Sequence, residues 1–270
     1  MTKKILLTGA TDGIGRETAK KLATADHHLL LHGRTAAKLE ALQEELAPSA
    51  AKVETYLADL SKLDAVEKLA GAVAENHDEL DVLINNAGVF VTTKPVTPDG
   101  LDVRFAVNTL APYLLTLKLM PLLGPSARVV NLSSAAQAPV DLEALRGDHH
   151  DLSDQAAYAQ SKLALTAWSR ILAEKVGSDG PLVVSVNPGS LLATKMVKDA
   201  FGVAGSDISV GADILCRAAL STEFEGRSGQ YFDNDVQRFG SPHPAALDER
   251  HALAIVTTME EILARRGSST

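Results

Sequence analysis

Tyr158 and Lys162, four residues apart in this 270-residue sequence, form its most informative pair of polar side chains. Their spacing places them on one face of a helix, one turn apart. A free tyrosine has a pKa of about 10, but an adjacent ammonium stabilises the phenolate and lowers that pKa. The pair therefore predicts a general acid/base that exchanges a proton with a substrate oxygen. A surface lysine beside a half-buried tyrosine would show the same spacing.

Two serines and an asparagine are candidates for the other polar groups of such a site. Ser133 and Ser134 follow a short apolar run, and either hydroxyl can donate a hydrogen bond to a substrate oxygen. Asn108 lies in a long apolar stretch. Its carboxamide either holds a water that relays protons to Lys162 or satisfies backbone groups at a helix break.

A glycine-rich turn near the start of the chain predicts a phosphate-binding site. An apolar run at 5–7 leads into a Gly-x3-Gly-x-Gly sequence, and a helical pattern follows directly. Glycines let backbone approach a phosphate closely, and a helix N-terminus supplies amides and a positive dipole end. A plain tight turn would also use glycines. The predicted cofactor contacts here are Gly9, Thr11, Asp12, Gly13, Ile14 and Gly15.

The end of the second apolar run predicts which nucleotide binds. A carboxylate there would accept hydrogen bonds from the adenosine ribose and repel a 2′-phosphate. The sequence has Arg34 instead, whose charge and shape suit that phosphate. The sequence thus favours NADP(H) over NAD(H), although Arg34 would also suit a solvated position at the start of the next helix.

Two further loops complete the predicted cofactor site. Asp59, followed by Leu60, is placed either to accept from an adenine amino group or to cap the next helix, with Ser61 as the competing cap. The sequence Asn86-Ala87-Gly88 suits backbone that lies against a flat ligand, and it also suits an ordinary polar turn.

The elements that must position these groups alternate along the chain. Short apolar runs typical of strands buried on both faces alternate with amphipathic runs typical of helices, which implies right-handed crossovers and a parallel sheet. We predict one doubly wound α/β (Rossmann) domain over residues 1–270, with about seven parallel strands and helices on both faces. Strands are predicted at 5–7, 29–31, 53–57, 82–84, 128–132, 182–186 and 230–232, and helices at 16–25, 35–46, 61–76, 99–123 (interrupted by Pro112), 154–176, 210–220 and 245–264.

Composition excludes several classes of protein. A net charge of −8 without a basic block disfavours nucleic acid as a partner. No apolar run has the length of a membrane span or signal peptide without charges, so we expect a cytoplasmic protein. The single cysteine, Cys216, excludes an internal disulfide and fits a buried packing position. The histidine pairs at 27–28 and 149–150 look like solvated turns, so we expect no metal site.

In their order along the chain, these residues resemble the short-chain dehydrogenase/reductase family. The resemblance rests on Thr8-Gly9-x3-Gly13-Ile14-Gly15, Asp59, Asn86-Ala87-Gly88, Asn108, Ser134, Tyr158-x3-Lys162 and Asn187-Pro188-Gly189. It implies that Ser134, Tyr158 and Lys162 are catalytic and that Asn108 is a fourth, water-holding member. It also implies that Tyr158 and Lys162 contact the cofactor, and that nicotinamide lies near Pro188 and Gly189.

Residues 157–164 and 228–232 are similar to the retinol-dehydrogenase-like branch of that family, which commonly uses NADP(H). The insertion at 135–155 is frequent in this branch. Thr194 comes one residue later than the threonine that usually contacts nicotinamide, so the resemblance assigns it no role. The family also implies a homodimer or homotetramer.

We therefore expect an oxidoreductase that transfers hydride between nicotinamide and a small to medium hydrophobic ketone, aldehyde or secondary alcohol. Substrate loops are predicted at 89–98, 135–155 and 190–208, the last with an apolar lid of Met196, Val197, Phe201 and Val203. The alternative is a catalytically silent cofactor-sensing or interaction protein, which should lack Ser134, Tyr158 or Lys162. A sugar-nucleotide epimerase or dehydratase is disfavoured by the glycine spacing.

Overall fold

Eight strands form one sheet in the computed structural model, which describes residues 2–149, 151–194, 202 and 204–267. The strand order across the sheet is 3-2-1-4-5-6-7-8, and every neighbouring pair is parallel except the last. This is the predicted doubly wound fold. The strands are β1 (Lys4–Leu7), β2 (His28–Gly33), β3 (Lys52–Leu57), β4 (Val82–Asn85), β5 (Arg128–Leu132), β6 (Leu182–Asn187), β7 (Tyr231–Asp233) and β8 (Arg238–Gly240).

Helices cover both faces of the sheet and connect its strands. One face carries α3, α4, α6 and α9, and the other carries α1, α2 and α7, as the two apolar clusters of the core show. The helices are α1 (Gly13–Leu22), α2 (Ala36–Leu46), α3 (Leu63–Asn76), α4 (Val103–Leu122), α5 (Leu142–Arg146), α6 (Asp154–Val176), α7 (Ser209–Leu220), α8 (Pro244–Leu247) and α9 (Glu249–Gly267).

The prediction of about seven parallel strands is corrected by β8. This strand pairs antiparallel with β7 at the edge of the sheet. It has three residues, of which only Phe239 is apolar, so it carries no periodic signal. The short helix α5 was also not predicted and lies within the predicted substrate loop at 135–155.

The prediction that Pro112 interrupts helix α4 is wrong. Pro112 lies at the start of a regular α-helical segment, where its missing N–H is tolerated. The irregularity comes just before it, as a π-helical turn over Ala106–Leu110. Such turns occur frequently at functional sites, and this one contains Asn108.

Helix α4 is long and apolar enough to cross a membrane by composition alone, and 72% of its most apolar stretch is buried. It packs against α3 and α6 inside the described part of the fold. A helix that is apolar on all sides belongs either in a protein core or in a bilayer. Here the surrounding helices supply the core.

Alternating strand residues fill the two halves of the core. Leu6 of β1 packs towards α3 and α4, whereas its neighbours Ile5 and Leu7 pack towards α1 and α7. Because successive side chains of a strand point to opposite faces, each strand serves both layers. Because β1, β4, β5 and β6 run parallel to one another, their carboxyl ends lie at the same edge of the sheet, where ligand crevices form in this architecture.

We predict opposite effects of one substitution at two helical glycines. A Cβ at Gly15 of α1 would overlap the carbonyl oxygen of Gly9 and the amide nitrogen of Asn86, whereas a Cβ at Gly71 of α3 would meet nothing within 4 Å. Gly15→Ala should therefore lower the free energy of unfolding by about 1–3 kcal/mol, and Gly71→Ala should raise it by about 0.5–1 kcal/mol.

Urea unfolding midpoints of the two variants and the parent chain measure these changes. A Gly15→Ala variant as stable as the parent would show that the glycine turn does not need this close approach.

Candidate active site

A crevice of about 1200 Å³ opens at the carboxyl ends of the central strands. Its lining contains every predicted site residue except Asn108. Those residues are Gly9, Thr11, Asp12, Gly13, Ile14, Gly15, Arg34, Asp59, Leu60, Asn86, Ala87, Gly88, Ser134, Tyr158, Lys162, Pro188 and Gly189. Residues from Gly9 to Gly189 thus share one cavity.

The glycine turn is fastened to the end of β4 by side-chain hydrogen bonds. The Asn86 amide nitrogen donates to the carbonyl oxygens of Thr8 at 2.8 Å and Gly9 at 3.1 Å. In return, the Thr8 hydroxyl oxygen accepts from the backbone N–H groups of Asn86 and Ala87. Asn86 therefore positions the glycine turn. Its sequence context predicted a different feature, namely backbone that lies against a flat ligand.

His32 also supports the glycine turn and was not predicted as a site residue. Its Nδ1 accepts from the backbone N–H of Gly9 at 3.2 Å, so Nε2 carries the proton and donates to the carbonyl oxygen of Ala58 at 3.1 Å. Burial lowers the pKa of His32 to about 4, which keeps the ring neutral. Only its position two residues before Arg34 hinted at this role.

Basic side chains lie at the nucleotide end of the crevice. Arg34 is exposed there, and Lys38, one turn into α2, forms an ion pair with Asp12 at 2.9 Å. Lys38 was not among the predicted residues. Its spacing of four from Arg34 is a signal that the sequence does contain.

Neither Asp59 nor Ser61, the two residues predicted as possible caps, caps the helix that follows β3. Helix α3 begins at Leu63 with Lys62 in the cap position, two residues later than predicted. Asp59 instead accepts from the backbone N–H and the hydroxyl of Ser61, at 3.1 and 2.7 Å. It lines the crevice beside Leu60, and its contact with adenine stays a prediction.

The structure distinguishes between the two candidate serines. The Ser133 hydroxyl is buried and bonded to that of Thr166 at 2.6 Å. The Ser134 hydroxyl accepts from the backbone N–H of Ala136 at 3.1 Å, and Ser134 lines the crevice together with Tyr158, whose pKa it influences. Ser134 is therefore the serine whose side chain lies near the phenol.

Lys162 lies behind Tyr158 and connects helix α6 to the sheet. Its Nζ donates to the carbonyl oxygen of Leu132, the last residue of β5, at 2.6 Å and lies 5.7 Å from the centre of the Tyr158 ring. The lysine is 3% exposed. Ser134, Tyr158 and Lys162 thus meet where β5 ends against α6.

The pKa values of this pair are governed by burial. Burial raises the pKa of the Tyr158 phenol, and the nearby Ser134 side chain opposes this rise. Burial also lowers the pKa of Lys162 to about 7. The expectation that Lys162 brings the Tyr158 pKa below its usual value is therefore corrected: in this arrangement the phenol keeps its proton and can act as a donor.

An aromatic side chain contacts the candidate catalytic tyrosine. The rings of Phe90 and Tyr158 are 4.5 Å apart between centres, at an angle of 31°. Phe90 lies in the predicted substrate loop at 89–98, most of which lines the crevice. Of the described residues in the loop at 135–155, only Ala135, Ala136 and Gln155 line it.

Asn108 occupies the π-helical turn of α4 and is fully buried. Its Oδ1 accepts from the backbone N–H of Val89 at 2.8 Å, and its Nδ2 donates to the Val89 carbonyl and to the Ser161 hydroxyl, both at 2.9 Å. The side chain thus fixes the start of the substrate loop against α6. Of the two roles predicted for Asn108, these contacts match the second, which is hydrogen bonding to backbone groups. The backbone groups belong to Val89 in a neighbouring loop and not to the helix itself.

A buried ion-pair network connects the starts of α4 and α6. Arg104, 1% exposed, bonds to the carboxylates of Asp102 and Asp154. Asp154 is the first residue of the helix that carries Tyr158. This network positions the catalytic helix relative to the π-helical turn.

The loop after β6 forms the remaining wall. The Asn187 amide donates to Asp233 and Asp235, each at 2.9 Å, and its oxygen accepts from the N–H of Gly189. Gly189 has a φ of +117°. Thr194 also lines the crevice. The predicted lid of Met196, Val197, Phe201 and Val203 lies outside the described residues.

We predict a pH-dependent contribution of His32 to stability. Because burial lowers its pKa from 6.5 to about 4, the unfolded chain binds a proton that the folded chain does not bind between these values. Stability is therefore lost as the pH falls from 6.5 towards 4, by up to about 3 kcal/mol for this group. His32→Gln, which keeps one acceptor and one donor, should lose less stability on acidification than the parent.

Denaturant unfolding at several pH values measures this difference. His149→Gln is the matched control, because the hydrogen bond with Asp141 raises the pKa of His149. Removing that histidine should make the loss on acidification steeper, not shallower. Equal pH slopes for His32→Gln and the parent would contradict the neutral buried ring.

Comparison with known proteins identifies the family. The family profile described as short chain dehydrogenase matches residues 3–202. Human retinol dehydrogenase 13 is 31% identical over 272 residues, covering 93% of this chain and 81% of that protein.

Solved structures agree. A protein from Mycobacterium paratuberculosis superposes with a TM-score of 0.80 at 27% identity, covering 96% of this chain and 92% of its own. Landomycin C-6 ketoreductase, solved with bound NADP and rabelomycin, has a TM-score of 0.68 at 29% identity, covering 86% of this chain and 94% of its own. The chain therefore belongs to the short-chain dehydrogenase family, in its retinol-dehydrogenase-like branch, and is an oxidoreductase.

Proposed function

We propose that the protein is an NADP(H)-dependent oxidoreductase that interconverts a hydrophobic ketone or aldehyde with the corresponding alcohol. The observation that carries this proposal is the convergence of Ser134, Tyr158 and Lys162 in the crevice that also contains the glycine turn. A cofactor-sensing or interaction protein would not need all three groups in one cavity.

The residues of the crevice fit a dinucleotide. The Asp12 carboxylate caps helix α1 by accepting from the N–H of Gly13 at 2.9 Å, so a pyrophosphate would bind to the other N-terminal amides and the positive dipole end of the helix. Gly9 and Gly13 have φ values of +67° and +52°, which a side chain would disfavour. When bound, NADP(H) supplies the hydride or accepts it.

The preference for NADP(H) is supported by two cations. Arg34 and Lys38 line the end of the crevice next to the glycine turn, and β2 ends without the carboxylate that would accept from ribose hydroxyls and repel a 2′-phosphate. The landomycin ketoreductase, solved with NADP, is a similar protein that holds this nucleotide.

The hydroxyls of Ser134 and Tyr158 would bind the substrate oxygen from one side. Tyr158 keeps its proton because burial raises its pKa, and it donates that proton as negative charge develops on the oxygen. Lys162 supports the phenol from behind, held by Leu132. In the oxidative direction, Tyr158 must first lose its proton, because only the phenolate can accept the proton of the alcohol.

A hydrophobic substrate is supported by the apolar entrance of the crevice. Val91, Val96 and Leu191 line it while keeping 48%, 42% and 51% of their surface exposed. Exposed apolar side chains around a cavity favour ligands that cover them. Phe90 extends this surface to the tyrosine.

We predict that Tyr158→Phe retains NADPH binding and loses carbonyl reduction by roughly 100- to 10,000-fold, since the proton donor is removed. A panel of hydrophobic aldehydes and ketones, followed at the nicotinamide absorbance, measures the rate, and NADPH fluorescence measures binding. Tyr113→Phe is the control, because this buried tyrosine bonds to Glu260 outside the crevice. Equal activity of Tyr158→Phe and the parent would exclude the proposed mechanism.

We also predict that Arg34→Ala weakens NADPH binding by roughly 10- to 100-fold, corresponding to loss of a charged hydrogen bond, and leaves NADH binding nearly unchanged. Lys38→Ala should act in the same direction. Arg16→Ala removes an exposed arginine of α1 that pairs with Glu45 outside the crevice, and should change neither affinity. Tighter binding of NADH than of NADPH by the parent would overturn the assignment.

A further inference from the structure

Two histidines and a glutamate converge at the amino ends of the strands, opposite the crevice. His28 is the first residue of β2, Glu54 lies in the neighbouring β3, and His77 directly follows α3. Glu54 comes 26 residues after His28 and His77 comes 23 residues after Glu54, so the three residues form no local sequence motif. None of the three lines the crevice.

The three potential ligand atoms are close to the spacing that a metal ion requires. The Nε2 of His28 lies 2.8 Å from Glu54 Oε1, and the Nε2 of His77 lies 3.2 Å from Glu54 Oε2. All three ligand atoms lie within 4.8 Å of one another. Zinc bonds of about 2.0–2.2 Å in a tetrahedron hold ligands about 3.3 Å apart, so small side-chain movements would complete the site.

The chemical states of these side chains also suit a metal. Burial lowers the pKa of His77, which favours the neutral imidazole. Burial of Glu54 favours its acid form, but hydrogen bonds from Lys52 and His28 outweigh this effect and lower its pKa to about 2. A neutral imidazole and a carboxylate are the forms that bind metals.

Two neighbouring side chains define the surroundings of the cluster. The Tyr56 hydroxyl lies 3.1 Å from His77 Nε2 and donates to Glu54 Oε2 at 3.3 Å. A metal ion on His77 Nε2 would replace the first contact and leave the second, which is of the kind that orients ligating carboxylates. The Lys52 ammonium pairs with Glu54 Oε1 at 2.9 Å, but its side chain is 68% exposed. Lys52 can therefore leave for solvent when a cation takes its place.

We propose that His28, Glu54 and His77 form a binding site for Zn²⁺, with two imidazole nitrogens and one carboxylate oxygen as protein ligands. The ion would connect β2, the edge strand β3 and the end of α3. Among the described residues, no other group of three such side chains comes this close. The site lies outside the crevice, so it stabilises the fold and takes no part in the proposed reaction.

Untagged protein, first treated with a chelator that is then removed, should bind one Zn²⁺ per chain in calorimetric titration. Zn²⁺ should also raise its unfolding temperature. His28→Gln, Glu54→Gln and His77→Gln should each weaken binding at least roughly tenfold and reduce the temperature shift. His149→Gln is the matched control and should bind Zn²⁺ as the parent does, because His149 pairs with Asp141 at 2.7 Å but belongs to no group of three close ligand side chains among the described residues.

Circular dichroism of the zinc-free variants separates loss of ligands from loss of folding. If His77→Gln does not fold, the proposal is tested by comparing the Co²⁺ absorption spectra of the parent and of His28→Gln. A tetrahedral site with imidazole ligands gives Co²⁺ absorption bands in the visible range, and loss of one histidine should weaken these bands. Absence of stoichiometric binding to the parent would overturn the proposal. Binding that survives His28→Gln and His77→Gln, or that His149→Gln abolishes, would overturn it as well. None of these outcomes depends on carbonyl reduction.

Discussion

The hydrogen bond from Lys162 to the carbonyl oxygen of Leu132 is the contact on which the candidate site depends. It joins α6, which carries Tyr158, to the end of β5, from which Ser134 follows two residues later. Hydrogen bonds of Asn131 with Ser169 and of Ser133 with Thr166 also join this strand end to α6, but the Lys162 bond is the one made directly behind the phenol. The Arg104 ion pair with Asp154 and the Asn108 bond to the Ser161 hydroxyl act on the same helix. These polar contacts together position Tyr158.

Burial at this edge of the sheet favours neutral groups. It raises the pKa of Tyr158, lowers that of Lys162 to about 7 and lowers that of His32 to about 4. In a medium of low polarity, each remaining hydrogen bond is stronger than in water and each unpaired polar group is more costly. A site of this kind holds its hydroxyl and amide groups in fixed directions before substrate binds, which is the condition for stabilising charge that develops on a substrate oxygen.

The features that the sequence predicts are those that local patterns determine. The parallel sheet follows from alternating apolar and amphipathic runs, the glycine turn from its position after β1, and the helix at Asp154–Val176 from the length of its helical pattern. Ser134 was separated from Ser133 only by family resemblance, since the two hydroxyls differ in their tertiary partners. The role of His32, the partners of Asn108 and the strand β8 depend on contacts between distant segments, and no periodicity encodes them.

The same reasoning explains why the histidine pair at 27–28 looked like a solvated turn. In sequence, Glu54 and His77 are far from His28; in the fold, the parallel register places His28 beside Lys52 and two pairs away from Glu54. Register carries this information because side chains two residues apart on paired strands share a face. The same register continues from His28 to Gly33, the residue before Arg34. A six-residue strand spans about 20 Å, which is too far for a cation to act directly on a bound 2′-phosphate, so an ion at His28 would affect Arg34 only by holding β2 and β3 together.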